Sequence, residues 1–129
     1  MRYLTILSML GLGILLSACG SASNSTGAVD AVEGYVNALA SNDEASLSAL
    51  SCAEWETNAL TELDSLQAVT ASLESFSCQQ SGTDGDTALV DCEGKMILSY
   101  NGEDQELDLS NRTYQVVEQS GSWLVCGTQ

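Results

Sequence analysis

The chain has 129 residues, 18 Asp plus Glu against 3 Lys plus Arg, no His, and a formal net charge of −15. Such a balance speaks against nucleic acid as a partner, since binding it needs clustered Lys and Arg to displace counterions, and against electrostatic adhesion to anionic lipid. Its 5 cysteines include no Cys-x-x-Cys, and with no histidine beside them there is no ligand set for zinc, so no metal and no cofactor is expected.

Arg2 is followed by an uncharged, mostly apolar run from Tyr3 to Leu16. About 14 such residues make a signal-peptide core and fall short of the roughly 20 needed to span a bilayer. Directly behind come Leu16-Ser17-Ala18-Cys19 and Gly20-Ser21. This arrangement resembles a bacterial lipobox, in which the cysteine thiol receives a diacylglyceryl group and the signal is cut before it. The resemblance implies that residues 1–18 are a lipoprotein signal peptide and that Cys19 is the lipidated first residue of the mature chain. It also implies a protein held to the extracytoplasmic side of the cell envelope by its lipid. That site is the cell membrane or, in a host with one, the outer membrane, which Gly20 and Ser21 in place of an Asp would favour. Residues 19–26 then form a flexible tether, since Gly20 to Thr26 carries no large apolar residue. The remaining stretch, residues 27–129, is long enough for a single domain with one core. Only Lys95 and Arg112 remain there against 18 acids, so the acyl chains rather than charge must do the holding.

From Gly27 the apolar period is helical. Val29, Val32, Val36 and Leu39 recur on one stripe that Ala28, Ala31, Tyr35 and Ala38 widen, with Ser25 or Thr26 as cap and an end near Ser41. Ser41-Asn42-Asp43-Glu44 has the spacing of a capping box that opens a short helix with Leu47 and Leu50 inward. Ser51-Cys52-Ala53-Glu54 repeats that spacing and predicts a third helix through Trp55, Ala59, Leu63, Leu66 and Thr70. Glu54, Glu56, Glu62 and Asp64 read as its solvated face.

After about Ser72 the period becomes two. Leu73 to Cys78 reads as a strand leading to a turn cluster over Ser81 to Asp86. From Ala88 to Tyr100 a long strand puts Ala88, Val90, Cys92, Gly94, Met96, Leu98 and Tyr100 on one face. Asn101-Gly102 is a strong hairpin signal, because a type I′ turn needs positive φ at both central residues. Pairing Tyr100 with Glu103 sets Leu98 opposite Gln105, Met96 opposite Leu107 and Gly94 opposite Leu109. The alternation then slips before Tyr114, which predicts a β-bulge around Ser110 to Thr113. A last hairpin at Gln119 to Ser122 leads into Trp123 to Cys126. Asp84-Gly85-Asp86 has too few oxygens for a calcium loop and reads as a plain turn.

Besides Cys19 there are four cysteines, an even count suited to an oxidising compartment, and four allow three pairings. A hairpin about Gly85 would place Cys78 across from Cys92, leaving Cys52 for Cys126.

A first helix carrying Val32-Glu33-Gly34-Tyr35-Val36-Asn37-Ala38-Leu39-Ala40-Ser41-Asn42-Asp43, followed by a sheet ending Gly121-Ser122-Trp123-Leu124-Val125-Cys126, resembles the nuclear-transport-factor-2-like superfamily. More narrowly it is similar to the small secreted lipoproteins of that superfamily with domains of unknown function. The resemblance implies an α+β cone, with N-terminal helices packed on a curved antiparallel sheet of about four strands and a pocket at the wide end. Tyr35, Trp55, Tyr100, Tyr114 and Trp123 are the candidate pocket lining. The enzymes of that superfamily use an Asp or His base inside the cone. No histidine exists here and Asp91 takes the outward face of its strand, so no catalytic residue carries over. The expected function is non-catalytic, the binding of a small apolar ligand or an envelope protein. The alternative is an isomerase or dehydratase acting on a small apolar substrate. An inward acid beside Tyr35 or Tyr100 would favour that enzyme, and a pocket plugged by Trp and Leu would favour a scaffold.

Overall fold

The computed structural model describes residues 25–129, so the signal segment, Cys19 and the expected tether up to residue 24 lie outside the described residues, while Ser25 and Thr26, expected in the tether or as the cap, are the first residues of the first helix. Three helices precede five strands. They are α1 (Ser25–Ser41), α2 (Glu44–Ala49), α3 (Glu56–Ser65), β1 (Thr70–Asp84), β2 (Thr87–Tyr100), β3 (Glu103–Asp108), β4 (Thr113–Gln119) and β5 (Ser122–Thr128), with a 3-10 turn, Leu109–Asn111, between β3 and β4. The class is α+β, and the antiparallel sheet has five strands rather than about four. Its order is β1-β2-β4-β5, with β3 also paired to β2. No helix among the described residues is long and apolar enough to cross a membrane.

The core lies between α1 and the sheet. Val32, Tyr35, Val36 and Leu39 of α1 bury against Val90, Met96, Tyr114, Val116 and Val125. The helical stripe read from the sequence is therefore the face that packs. Glu33 adds a polar tie, its Oε1 accepting the Cys78 backbone N–H at 3.2 Å on the outer edge of β1.

Both expected capping boxes are replaced. Helix α1 runs through Ser41, whose hydroxyl bonds the Asn37 carbonyl at 2.8 Å. The helix stops because Asn42 takes φ 57 and Asp43 N–H reaches back to Ala38 O at 2.9 Å, with Asn42 N–H on Leu39 O. This is a Schellman ending, in which Asn is tolerated at the left-handed position. Asp43 then caps α2 by accepting from Ser46 N–H. Ser51 caps nothing; its hydroxyl bonds Leu47 O at 2.8 Å. The segment Leu50 to Cys52 instead lies along β5, with Cys52 N–H on Val125 O and Val125 N–H on Leu50 O, and so covers a sheet edge that would otherwise stay open. Helix α3 starts at Glu56 and ends at Ser65, short of Thr70, which opens β1. Strand β1 in turn runs three residues further than Ser81, to Asp84, so only Gly85 and Asp86 form the turn.

The hairpin at Asn101-Gly102 has φ 51 and 80 at its two central residues, and its register pairs Tyr100 with Glu103, Leu98 with Gln105 and Met96 with Leu107. The ladder stops at Lys95 and Asp108, so Gly94 does not pair with Leu109. In place of a simple bulge, the 3-10 turn sits where the alternation slips. Asp108 caps it by accepting from Ser110 N–H at 2.9 Å. Beyond the turn β4 rejoins β2, pairing Asp91 with Thr113, with one more residue than β2 spends on the same interval. That extra residue returns Tyr114 and Val116 to the buried face.

Cys78 is joined to Cys92 and Cys52 to Cys126, with Cα separations of 4.0 and 5.2 Å.

Candidate functional site

The change of partner along β2 divides the sheet. Where β2 leaves β4 for β3, an apolar cavity of about 380 Å³ opens between the sheet and the helices. Val36 and Leu39 of α1 form one wall, Met96 and Leu98 of β2 a second, and Leu66, Leu107 and Leu109 close the sides. The polar lining is confined to Glu62 and Ser65 of α3 and Arg112 and Tyr114 of β4 and its approach. Apolar walls with a few convergent polar groups, at a volume in this range, are the usual composition of a small-molecule site.

The polar groups form one connected set. Trp55 Nε1–H donates to the Tyr35 hydroxyl at 3.1 Å, and that hydroxyl lies 3.5 Å from Glu62 Oε2 as its donor. Arg112 donates from Nη1 to Glu62 Oε1. Its guanidinium stands 6.0 Å over the Tyr114 ring, and the Tyr35 and Tyr114 rings meet edge to face at 6.0 Å. The Glu62 and Arg112 side chains keep 25% and 36% of their exposure, so their ion pair is worth about 1 kcal/mol at most. Its larger effect is to fix α3 against the start of β4.

The 3-10 turn explains why Arg112 arrives here, because it delivers residue 112 to the sheet one position late. Thr113 then locks the strand by donating to Asp91 Oδ1 at 2.7 Å. Glu62 corrects the reading of α3's acids as a solvated face. Glu54 and Asp64 are exposed, but Glu56 and Glu62 are half-buried, and Glu62 reaches the cavity. The signal was present, since Glu62 stands three residues after Ala59 and four before Leu66, on the side of α3 that faces inward.

Of the five candidate aromatics, the structure brings Tyr35, Trp55 and Tyr114 together, and only Tyr114 lines the cavity. Tyr35 and Trp55 lie behind Glu62 and support it. Trp123 packs on Gly27 at the start of α1, and Tyr100 is 58% exposed at the hairpin end, beside a separate recess. The cavity is thus lined by leucines without being plugged by tryptophan. An acid does stand beside Tyr35, but both oxygens of Glu62 are engaged, one by Arg112 and one by Tyr35.

Burial pushes the Tyr35 phenol well above its ordinary value; the Trp55 hydrogen bond opposes this and the Glu62 charge adds to it. Burial likewise raises Tyr114, partly offset by Arg112. For Arg112 burial acts downward, and the hydrogen bond and charge of Glu62 outweigh it, leaving the guanidinium more firmly protonated. The set therefore holds two neutral phenols and a closed ion pair at neutral pH, with its donors and acceptors turned on one another. No group of three or more His, Cys, Asp or Glu among the described residues is placed to hold a metal ion.

The raised phenols have a measurable consequence. Both tyrosines titrate at 10.0 when unperturbed, so above that pH the unfolded chain releases protons the folded chain keeps. Their contribution to stability is complete below pH 10 and declines as pH rises toward the folded values, by up to about 1.4 kcal/mol per pH unit for each phenol. Urea unfolding at half-unit steps from pH 8.5 to 11.5 should show this loss, with a shallower slope for Tyr35→Phe. Equal slopes for parent and variant would refute it.

The site and fold together define an α+β domain in which three helices and a five-stranded antiparallel sheet enclose an apolar cavity. The chain is similar in structure to Aln2 from a Streptomyces species, with a TM-score of 0.53 and 10% sequence identity over 80% of this chain and 85% of that one. No family model matches the chain, and no curated protein does.

Proposed function

We propose that the protein is a lipid-anchored envelope protein whose cone-shaped, nuclear-transport-factor-2-like domain binds a small apolar ligand without transforming it. The observation that carries the binding reading is the cavity of about 380 Å³, with apolar walls and the Glu62–Arg112 pair at one side. The order of helices and strands and the similarity to a structure of the same general form support the cone. The anchor rests on the lipobox residues that end at Cys19.

Titration with 2-acetylnaphthalene, an apolar body carrying one carbonyl, should shift the amide resonances of Val36, Met96 and Tyr114. Ser65→Trp, an exposed position on the cavity rim, should abolish the shifts by filling the space. Absence of shifts along the cavity would sink the reading. An isomerase reading has one observation in its favour, the acid Glu62 beside Tyr35. The same titration in D2O decides it, because an enzyme with a working base would drive deuterium into the methyl group and lose that activity in Glu62→Gln.

Cys19→Ser should move the protein out of the membrane pellet and into the soluble fraction or leave the signal uncleaved. Processed protein still tightly held by the membrane would refute the lipid anchor.

A further inference from the structure

The cavity has a neighbour at its rim. Leu98 lines it and also lines a second recess of about 230 Å³, formed with Val69, Tyr100, Glu103 and Gln105. Cross-strand pairs Tyr100 with Glu103, Leu98 with Gln105 and Met96 with Leu107 set these side chains in a row on the cavity side of the β2–β3 hairpin. Tyr100 and Leu107, 58% and 40% exposed, are the exposed large apolar side chains among the described residues, and both stand on this row. Single exposed apolar residues need no explanation, but these two stand on one track leading out of an apolar cavity, where a ligand longer than the cavity would cover both.

We propose that the site takes an elongated single-chain amphiphile with an uncharged headgroup, its tail in the cavity, its outer methylenes over Leu98, and its head beside Tyr100 against Glu103 and Gln105. This rests on the cavity-binding reading above and names the ligand's shape and charge. The tail goes inward because the polar groups there are already matched. Glu62 is held by Arg112 and Tyr35, and no buried side-chain N or O among the described residues lacks a partner. A ligand therefore gains in the cavity by filling apolar space, not by supplying hydrogen bonds. At the outer end Glu103 and Gln105 are exposed and ready to accept from, and in the case of Gln105 donate to, a hydroxylated head. Charge sets the sign. Glu103 faces the head, Asp104 and Glu106 lie on the other face of the same strand, and the chain carries −15 in all, so an anionic head is repelled. A compact ligand would fill the inner space and leave Val69 and Tyr100 wet.

Titration of 15N-labelled protein with decyl maltoside, hexyl maltoside and decanoate, each below its micellar concentration, tests this. Decyl maltoside should shift Val69, Leu98 and Tyr100 together with Met96 and Tyr114. Hexyl maltoside, four methylenes shorter, should leave Val69 and Tyr100 unshifted and bind at least about 30-fold more weakly. Decanoate should bind at least about 10-fold more weakly than decyl maltoside at low salt. Tyr100→Ser, at an exposed position, should weaken decyl maltoside about 5-fold and leave 2-acetylnaphthalene unchanged. Equal binding of hexyl and decyl chains, equal binding of decanoate, or indifference to Tyr100→Ser would overturn the amphiphile while 2-acetylnaphthalene binding keeps the cavity reading. If none of the four compounds binds, both fall.

Discussion

Replacing Cys52 and Cys126 together by Ala should lower the free energy of unfolding by about 4.5 kcal/mol under non-reducing conditions, by the chain-entropy model. The bond closes a loop of sequence separation 74, so its loss returns that freedom to the unfolded chain. Against the 5 to 15 kcal/mol typical of a domain, such a loss brings a chain of net charge −15 near to unfolding. Alanine is the right replacement because Cys52 is only 1% exposed and a hydroxyl there would be buried. The Cys78–Cys92 bond closes a separation of only 14 and should cost about 3 kcal/mol when removed in the same way. Urea unfolding of the two double variants beside the parent reads both. A loss below about 1 kcal/mol for the longer loop, or a larger loss for the shorter, would sink the expectation. The longer bond also has a local role. It ties the segment before α3 to β5, where Cys52 N–H bonds Val125 O at 3.0 Å, and α3 with its C-cap carries Glu62 and Leu66 into the cavity wall. The double variant should therefore bind 2-acetylnaphthalene more weakly even where it remains folded.

The sequence was most legible where backbone chemistry is local. Asn101-Gly102 could place its hairpin because few dipeptides adopt positive φ twice, and the register of three residue pairs then followed from alternation. The parity slip before Tyr114 marked the one-residue offset between β3 and β4, although a 3-10 turn rather than a bulge absorbs it. Ser41 and Ser51 were less legible. Each heads a sequence with correct capping-box spacing, yet Ser41 is already inside α1 and Ser51 is drawn to β5, so tertiary pairing decides where those helices begin. Glu62 reads from the sequence as part of a solvated face, because acids on a helix usually are solvated. Its helical offset from Ala59 and Leu66 pointed inward, but its partner Arg112 lies 50 residues on, and no spacing rule joins them. Parity alone did not separate Tyr100 from Tyr114. Both lie on strands at positions of inward parity, and only the ending of the sheet beyond the hairpin leaves Tyr100 exposed.

Gly94→Ala should cost about 3 kcal/mol or more and should damage the cavity before the rest of the domain. Gly94 sits in the middle of β2 at φ +101, a conformation that L side chains rarely adopt, and a Cβ there would stand 2.6 Å from both Glu74 O and Ser75 O. Those are backbone atoms, which cannot swing aside as the end of a side chain would. Opposite Gly94 the register of β1 shifts between Glu74 and Ser77, with Ser75 at φ 51. Two residues of β1 thus face one of β2, which bends both strands at the same place. The bend lies between the part of β2 that pairs β4, up to Asp91, and the part that pairs β3, from Lys95. Straightening it would carry Met96 and Leu98 away from Val36 and Leu39, and those four residues are opposite walls of the cavity. Backbone strain of this kind costs about 1 to 3 kcal/mol, and the double overlap adds to it. Gly102→Ala serves as the comparison, because a Cβ there meets nothing within 4 Å although φ is +80; it should cost about 1 kcal/mol and leave the cavity intact. Unfolding curves and 2-acetylnaphthalene binding measured on both variants separate strain alone from strain plus collision. If Gly94→Ala is no less stable than Gly102→Ala, or binds the probe as the parent does, then the bend at Gly94 does not shape the site.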